Sequence, residues 1–171
     1  MKRLLPFMVA PSLLLLGGCA AASMVPDAVE VRPGCFVLQG VPDGGTFASL
    51  KQAGVTHVLN LRTPAEGPIA QASAQARAAG ASYDSCPMDR EPSPASLDAF
   101  RAQMKALPKG ARVLLHCASG NRVGGALLTY WVLDEGMDPT QALKLAKQAG
   151  LQNPATERAA KAYIALRRRS N

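Results

Sequence analysis

Val113-Leu114-Leu115-His116-Cys117-Ala118-Ser119-Gly120-Asn121-Arg122-Val123-Gly124-Gly125 decides how this chain is to be read. The apolar run over Val113–Leu115 predicts a buried strand. It stops at His116-Cys117, and a loop of small residues follows. Arg122 then opens a helical pattern that runs to Leu133. A thiol therefore stands at a strand end, facing the start of a helix. Backbone N–H groups of such a loop and helix start cradle an oxyanion and favour the thiolate form of a cysteine. This points to an enzyme with Cys117 as nucleophile and an anionic substrate.

The roles divide by chemistry. Only a thiolate attacks, so Cys117 needs the positive end of the helix behind it. Arg122 adds a permanent charge and a planar fork that matches an oxyanion. Ala118, Ser119, Gly120 and Asn121 form the anion-binding loop, and Gly120 gives its backbone the freedom to turn N–H groups inward. A buried structural cysteine is the plainer reading, but it needs neither the arginine nor the glycine. His116 points to the other side of the strand, so it is not the expected base.

Outward from this stretch, strands alternate with helices. Cys35–Leu38, Val55–Leu61, Ala81–Met88 and Arg112–His116 read as strands. Thr46 is expected to cap a short helix that buries Phe47, Leu50 and Ala53. Residues 68–79 read as a helix ended by Gly80. Ser93-Pro94, Asp138-Pro139 and Asn153-Pro154 each supply a cap followed by a first-turn proline, and so open three more helices. The expected fold class is α/β: a layered domain with a central, mostly parallel sheet of four or five strands flanked by helices. Trp131 is assigned to the core, and Arg62 to either the pocket or the surface.

The first residues read differently. Lys2 and Arg3 precede an apolar stretch from Leu4 to Leu16, too short for a permanent span. Leu16-Gly17-Gly18-Cys19 resembles a bacterial lipobox, which implies cleavage before Cys19 and lipidation of its thiol. Residues 1–18 are thus expected to be a lipoprotein signal peptide, 19–32 a tether, and 33–171 the domain. Ordinary cleavage after Ala22 is the alternative. Ala20 after the lipidated cysteine implies, by resemblance to known sorting signals, the periplasmic face of the outer membrane. The membrane is then a partner through the lipid anchor.

With 171 residues and 48% hydrophobic content, the chain can bury a sizeable core. Loss of Lys2 and Arg3 lowers the formal charge from +7 to +5. The dense basic cluster, Arg167-Arg168-Arg169, reads as a solvated helix end, and no interleaved aromatics suggest nucleic acid. A monomer is expected. Two distant histidines and no Cys-x-x-Cys give no metal pattern, and no cofactor is expected. An exported chain meets oxidising conditions. Cys35 and Cys86 are candidates for a disulfide, with Cys117 free. Both as buried thiols, or Cys86 as a resolving thiol for Cys117, are the other options.

His116-Cys117-x-x-Gly120 resembles the opening of the protein tyrosine and dual-specificity phosphatase signature. Phe47-x-x-Leu50-x-x-Ala53-Gly54-Val55-Thr56-His57-Val58-Leu59-Asn60-Leu61-Arg62 is similar to the helix–strand opening of the same phosphatases. The resemblance covers residues 35 to 150 and is strongest to the bacterial beta-lactamase-hydrolase-like phosphatase domain. Relatives of that domain include sulfurtransferases and fusions to NAD kinase. It implies hydrolysis of an anionic small-molecule or phosphorylated substrate through Cys117. It also implies a general acid at Asp89, which follows the third strand; a turn-forming role for Asp89 is the alternative.

Two departures matter. Only four residues separate Cys117 from Arg122, where the phosphatase signature has five, and the position of the phosphatase arginine holds Val123. Four is the spacing of rhodanese-type sulfurtransferases, whose cysteine carries a persulfide. The hydroxyl that follows the arginine in phosphatases is also absent, with Ser119 the nearest substitute. A sulfurtransferase and a non-catalytic anion-binding lipoprotein therefore stand beside the phosphatase-like hydrolase.

Overall fold

The computed structural model describes residues 25–169. The expected signal peptide and the expected lipidation at Cys19 lie outside the described residues. Five strands form one sheet in the order β1-β2-β5-β3-β4. These are β1 (Ala28–Arg32), β2 (Cys35–Leu38), β3 (His57–Asn60), β4 (Ser82–Ser85) and β5 (Val113–His116). β1 runs antiparallel to β2, and the other pairs are parallel. The helices are α1 (Gly44–Ser49), α2 (Ala70–Ala78), α3 (Pro94–Ala106), α4 (Asn121–Leu133), α5 (Pro139–Gln148) and α6 (Pro154–Arg169). The expected layered α/β domain with a mostly parallel sheet is what forms.

Side-chain alternation splits the core in two. Phe36, Val58 and Leu114 face α1 and α2. Val37, Leu59, Leu115 and Cys117 face the layer of α3 to α6, with Trp131 and Leu127 deep inside it. β5 is central and fully buried, so its side chains are apolar on both faces until His116. Burying side chains of this size contributes about 1.5–3 kcal/mol each.

The cap-and-proline devices work as expected. Ser93 accepts from the Ser96 amide at 3.2 Å, Asp138 from Thr140 and Gln141, and Asn153 from Ala155 and Thr156. At α1 the cap is not Thr46 but Asp43, which takes the Thr46 amide at 2.8 Å. Thr46 is the third helical residue and closes a capping box.

Two further expectations are corrected. The tether does not extend to residue 32, because Ala28–Arg32 forms β1 against β2. Its alternation of exposed and buried residues is too irregular to be seen in sequence. Nor are Cys35 and Cys86 paired: both are free thiols. Cys35 starts β2, Cys86 follows β4, and two strands lie between them. Three strand spacings are about 14 Å, beyond any disulfide. Burial instead pushes the Cys35 thiol up to about 12 and Cys86 up to about 11.

Candidate active site

Parallel strands bring their C-terminal ends to one edge, where α/β folds build sites. β5 ends there at His116, and Cys117 follows, fully buried. The chain turns through Ala118 and Ser119 to Gly120, whose φ of +79° is left-handed. That turn aims the Gly120 amide at Cys117 Sγ, 3.1 Å away. Behind it lies no room for a side chain: a Cβ on Gly120 would stand 2.5 Å from the Ala149 carbonyl oxygen and 2.9 Å from Gln39 Cγ. Asn121 fastens the loop to the start of α6. Its Oδ1 accepts from the Gln152 and Asn153 amides at 2.7 and 2.6 Å, and its Nδ2 donates to Ser119 Oγ at 3.2 Å.

Arg122 lies on the first turn of α4 and its side chain is 7% exposed. Its fork is held in one plane by Glu66, with Nη1 2.6 Å from Oε2 and Nη2 2.7 Å from Oε1. Nη1 also donates to the Met88 and Leu61 carbonyls. The Arg122 guanidinium, and Thr63 after it, hold the Glu66 carboxyl at about 2. Glu66 in turn raises the Arg122 pKa further, and the Cys117 sulfur adds to this. The pair is fixed and charged across the neutral range.

Glu66 is the residue that sequence reasoning missed. It ends a 3₁₀ turn over Pro64–Glu66 and forms a capping box with Thr63. Thr-Pro-x-Glu after a strand carries that local signal, but nothing local points to Arg122. Arg62 is half-buried and donates to the Glu66 carbonyl; it does not line the cavity at the loop.

A cavity of about 320 Å³ opens over the loop. Ala118, Ser119, Asn121 and Arg122 form its floor, and Glu66, Arg90, Asn153 and Thr156 its walls. Asp89 is exposed and lies between Met88, which accepts from Arg122, and Arg90, which lines the cavity. The rim is tied down where Thr156 Oγ1 donates to the Arg90 carbonyl at 2.6 Å.

His116 is on the opposite face from Cys117, with its ring 6.1 Å from that of Tyr83. Burial and then the charge of Arg62 push it down to about 4. It is neutral at physiological pH and does not line the cavity. Among the described residues no cluster of three metal-ligating side chains occurs.

The five-stranded, mostly parallel sheet between its two helical layers has the fold of the dual-specificity and tyrosine phosphatase superfamily. Solved structures agree. A crystal structure described as a "putative phosphatase (DUF442)" from Shewanella putrefaciens CN-32 is 25% identical, with a TM-score of 0.65 over 83% of this chain and 93% of that one. Tk-PTP in its active form is 17% identical, with a TM-score of 0.68 over 83% and 99%. TpbA of P. aeruginosa is 22% identical, with a TM-score of 0.60 over 78% and 80%. No family model matches the sequence, and no curated protein matches it.

Proposed function

We propose that this protein is a cysteine-dependent hydrolase of phosphomonoesters. The observation that carries the reading is the constellation at the end of β5: the Cys117 thiol, the inward Gly120 amide and the fixed Arg122 fork. In the first step Cys117 Sγ attacks phosphorus and the ester P–O bond breaks. Asp89, as the carboxylic acid, gives its proton to the departing alkoxide. Loop amides and Arg122 hold the phosphoryl oxygens. Water then attacks phosphorus with Asp89 as base, the S–P bond breaks, and phosphate leaves with the thiolate restored. General acid help of this kind supplies about 10²–10⁴-fold.

The test is release of p-nitrophenol from its phosphate ester by the domain. Cys117→Ser should abolish it; unchanged activity refutes the mechanism. A second reading rests on the four-residue spacing between Cys117 and Arg122. In it Cys117 takes the outer sulfur of thiosulfate as a persulfide, releasing sulfite, and passes it to cyanide as thiocyanate. Thiosulfate-to-cyanide transfer with a mass gain of one sulfur on Cys117 would favour it over hydrolysis.

We further propose that the chain is exported and lipid-anchored through Cys19. The Leu16-Gly17-Gly18-Cys19 motif supports this. β1 begins opposite Leu38, in the same row as His116, so an anchored segment would enter the domain at the edge that carries Cys117. Labelling with a radioactive fatty acid, lost in Cys19→Ala, tests it.

A further inference from the structure

The cavity over the Cys117 loop is larger than one phosphate needs, and its extra space has a distinct chemistry. Among the described residues Ala118 is the only apolar one lining it, and no aromatic ring borders it. Its uncharged polar lining is Ser119 and Asn121 in the floor and Asn153 and Thr156 in the walls. Arg122 supplies one cation, already matched by Glu66. A second cation, Arg90, lines the same cavity from the rim. The Arg90 side chain is exposed and forms no hydrogen bond or ion pair among the described residues. Its neighbours Asp89 and Glu91 do not pair with it. Its backbone, by contrast, is anchored, because its carbonyl accepts from Thr156 Oγ1. An anchored backbone with an uncommitted guanidinium at a cavity wall suits an anion arriving from solvent.

We propose that the site takes a phosphomonoester whose body is hydroxylated and carries a second anionic group, with Arg90 as the specificity residue for that group. This rests on the phosphomonoesterase reading above and names its substrate class. The monoester occupies the loop beside Arg122. Hydroxyls of the body face Ser119, Asn121 and Asn153. The second anion, a phosphate monoester or diester, meets the Arg90 fork. An aromatic phosphate such as phosphotyrosine leaves Arg90 without a partner and sets an apolar ring against a polar wall, so it is a poor fit. A sugar bisphosphate and the headgroup of a phosphorylated inositol lipid share the favoured chemistry.

Binding to the Cys117→Ser protein separates this from catalysis. Glucose 6-phosphate, fructose 1,6-bisphosphate and a phosphotyrosine peptide are titrated in solution. Phosphatidylcholine vesicles with and without phosphatidylinositol 4-phosphate supply the lipid arm. One added charge-assisted contact at the rim predicts about tenfold preference for a two-anion ligand over glucose 6-phosphate. Arg90→Ala should bring that ratio close to one, and Arg90→Lys should recover part of it. Preference for the free bisphosphate or for the phosphorylated vesicles identifies the source, and either supports the proposal. An equal ratio in Arg90→Ala, or phosphotyrosine binding as tightly as the two-anion ligands, overturns it. Failure of the wild type to release phosphate from any of these compounds would refute the hydrolase reading instead, whatever the binding ratios.

Discussion

Replacing Glu66 by Gln should destabilise the protein at neutral pH by about 2 kcal/mol. The variant keeps the size and one acceptor of the side chain but removes the charge that faces Arg122. The wild-type carboxyl is held at about 2 rather than its ordinary 4.5, a ceiling of about 3 kcal/mol at 1.36 kcal/mol per pK unit. Glu66 keeps 30% of its side chain in solvent while Arg122 keeps 7%, so water screens part of that figure and about 2 kcal/mol remains. The sign follows from linkage. The folded state binds the Glu66 proton less readily than the unfolded chain, so its contribution is complete above about pH 4.5. It is lost as the pH falls towards 2. Urea unfolding at pH 7 should show a lowered midpoint with an unchanged slope. At pH 7 a domain of this size should melt roughly 4–8 °C lower. Between pH 5 and 3 the gap between wild type and variant should narrow. A variant within about 0.5 kcal/mol of wild type at pH 7, or a gap that does not close in acid, would refute the bond's assigned role.

Four other outcomes follow from the geometry. Gly120→Ala meets both a left-handed φ and an oxygen 2.5 Å from the new Cβ; it should cost about 2–3 kcal/mol and abolish p-nitrophenyl phosphate hydrolysis, measured by melting and by release of p-nitrophenol. Gly124→Ala on α4 places a Cβ 2.6 Å from the Ala146 carbonyl oxygen. It should lower the melting temperature even though alanine favours a helix by about 1 kcal/mol. Asp89→Asn should cut kcat by about 10²-fold on alkyl phosphates and far less on p-nitrophenyl phosphate, whose leaving group needs no proton; equal losses would remove Asp89 as the acid. One of the two histidines of the chain, His116, should titrate by NMR with a midpoint near 4. Because its folded value lies below the unfolded one, the protein should lose stability as pH falls from 6.5 towards 4.

The parts of the molecule legible in sequence were those written locally. Val113–Leu115 announced a central strand because both its faces are buried. Ser93-Pro94, Asp138-Pro139 and Asn153-Pro154 announced helix starts because cap and proline are adjacent in the chain. Cys117 and Arg122 were legible because one turn of loop joins them. β1 was not, since Ala28–Arg32 is a sheet edge whose partner, β2, supplies the order. At α1 the sequence points to Thr46 as the cap, although the capping box uses both Asp43 and Thr46. The Glu66–Arg122 pair spans 56 positions and exists only because β3 and β5 are parallel neighbours. Arg90 likewise reaches the cavity through α6, 66 positions away in the bond from Thr156.

The short loop acquires a physical meaning from what stands behind it. Gly150 and Gly120 face each other so closely that a Cβ on Gly150 would lie 2.9 Å from Gly120 Cα. Gln39 closes the same side and donates to the Gln148 carbonyl at 3.0 Å. The loop therefore has no space to widen backwards. Its Gly120 amide is already directed at Cys117 Sγ, and its remaining oxyanion contacts must come from the front, where Arg122 and the cavity wall stand. On the hydrolase reading proposed above, a loop one residue shorter than the phosphatase signature would transfer part of anion recognition from backbone amides to side chains on neighbouring elements. Glu66 fixes the angle of the first such side chain, Arg122. Arg90, which lines the same cavity, is the proposed second. On that reading, lengthening the loop by one glycine between Gly120 and Asn121 should not raise p-nitrophenyl phosphate hydrolysis. It should instead break the Asn121 contacts to Gln152 and Asn153 and lower activity and melting temperature together. A more active insertion variant would show that missing amides, and not the braced wall, limit this site.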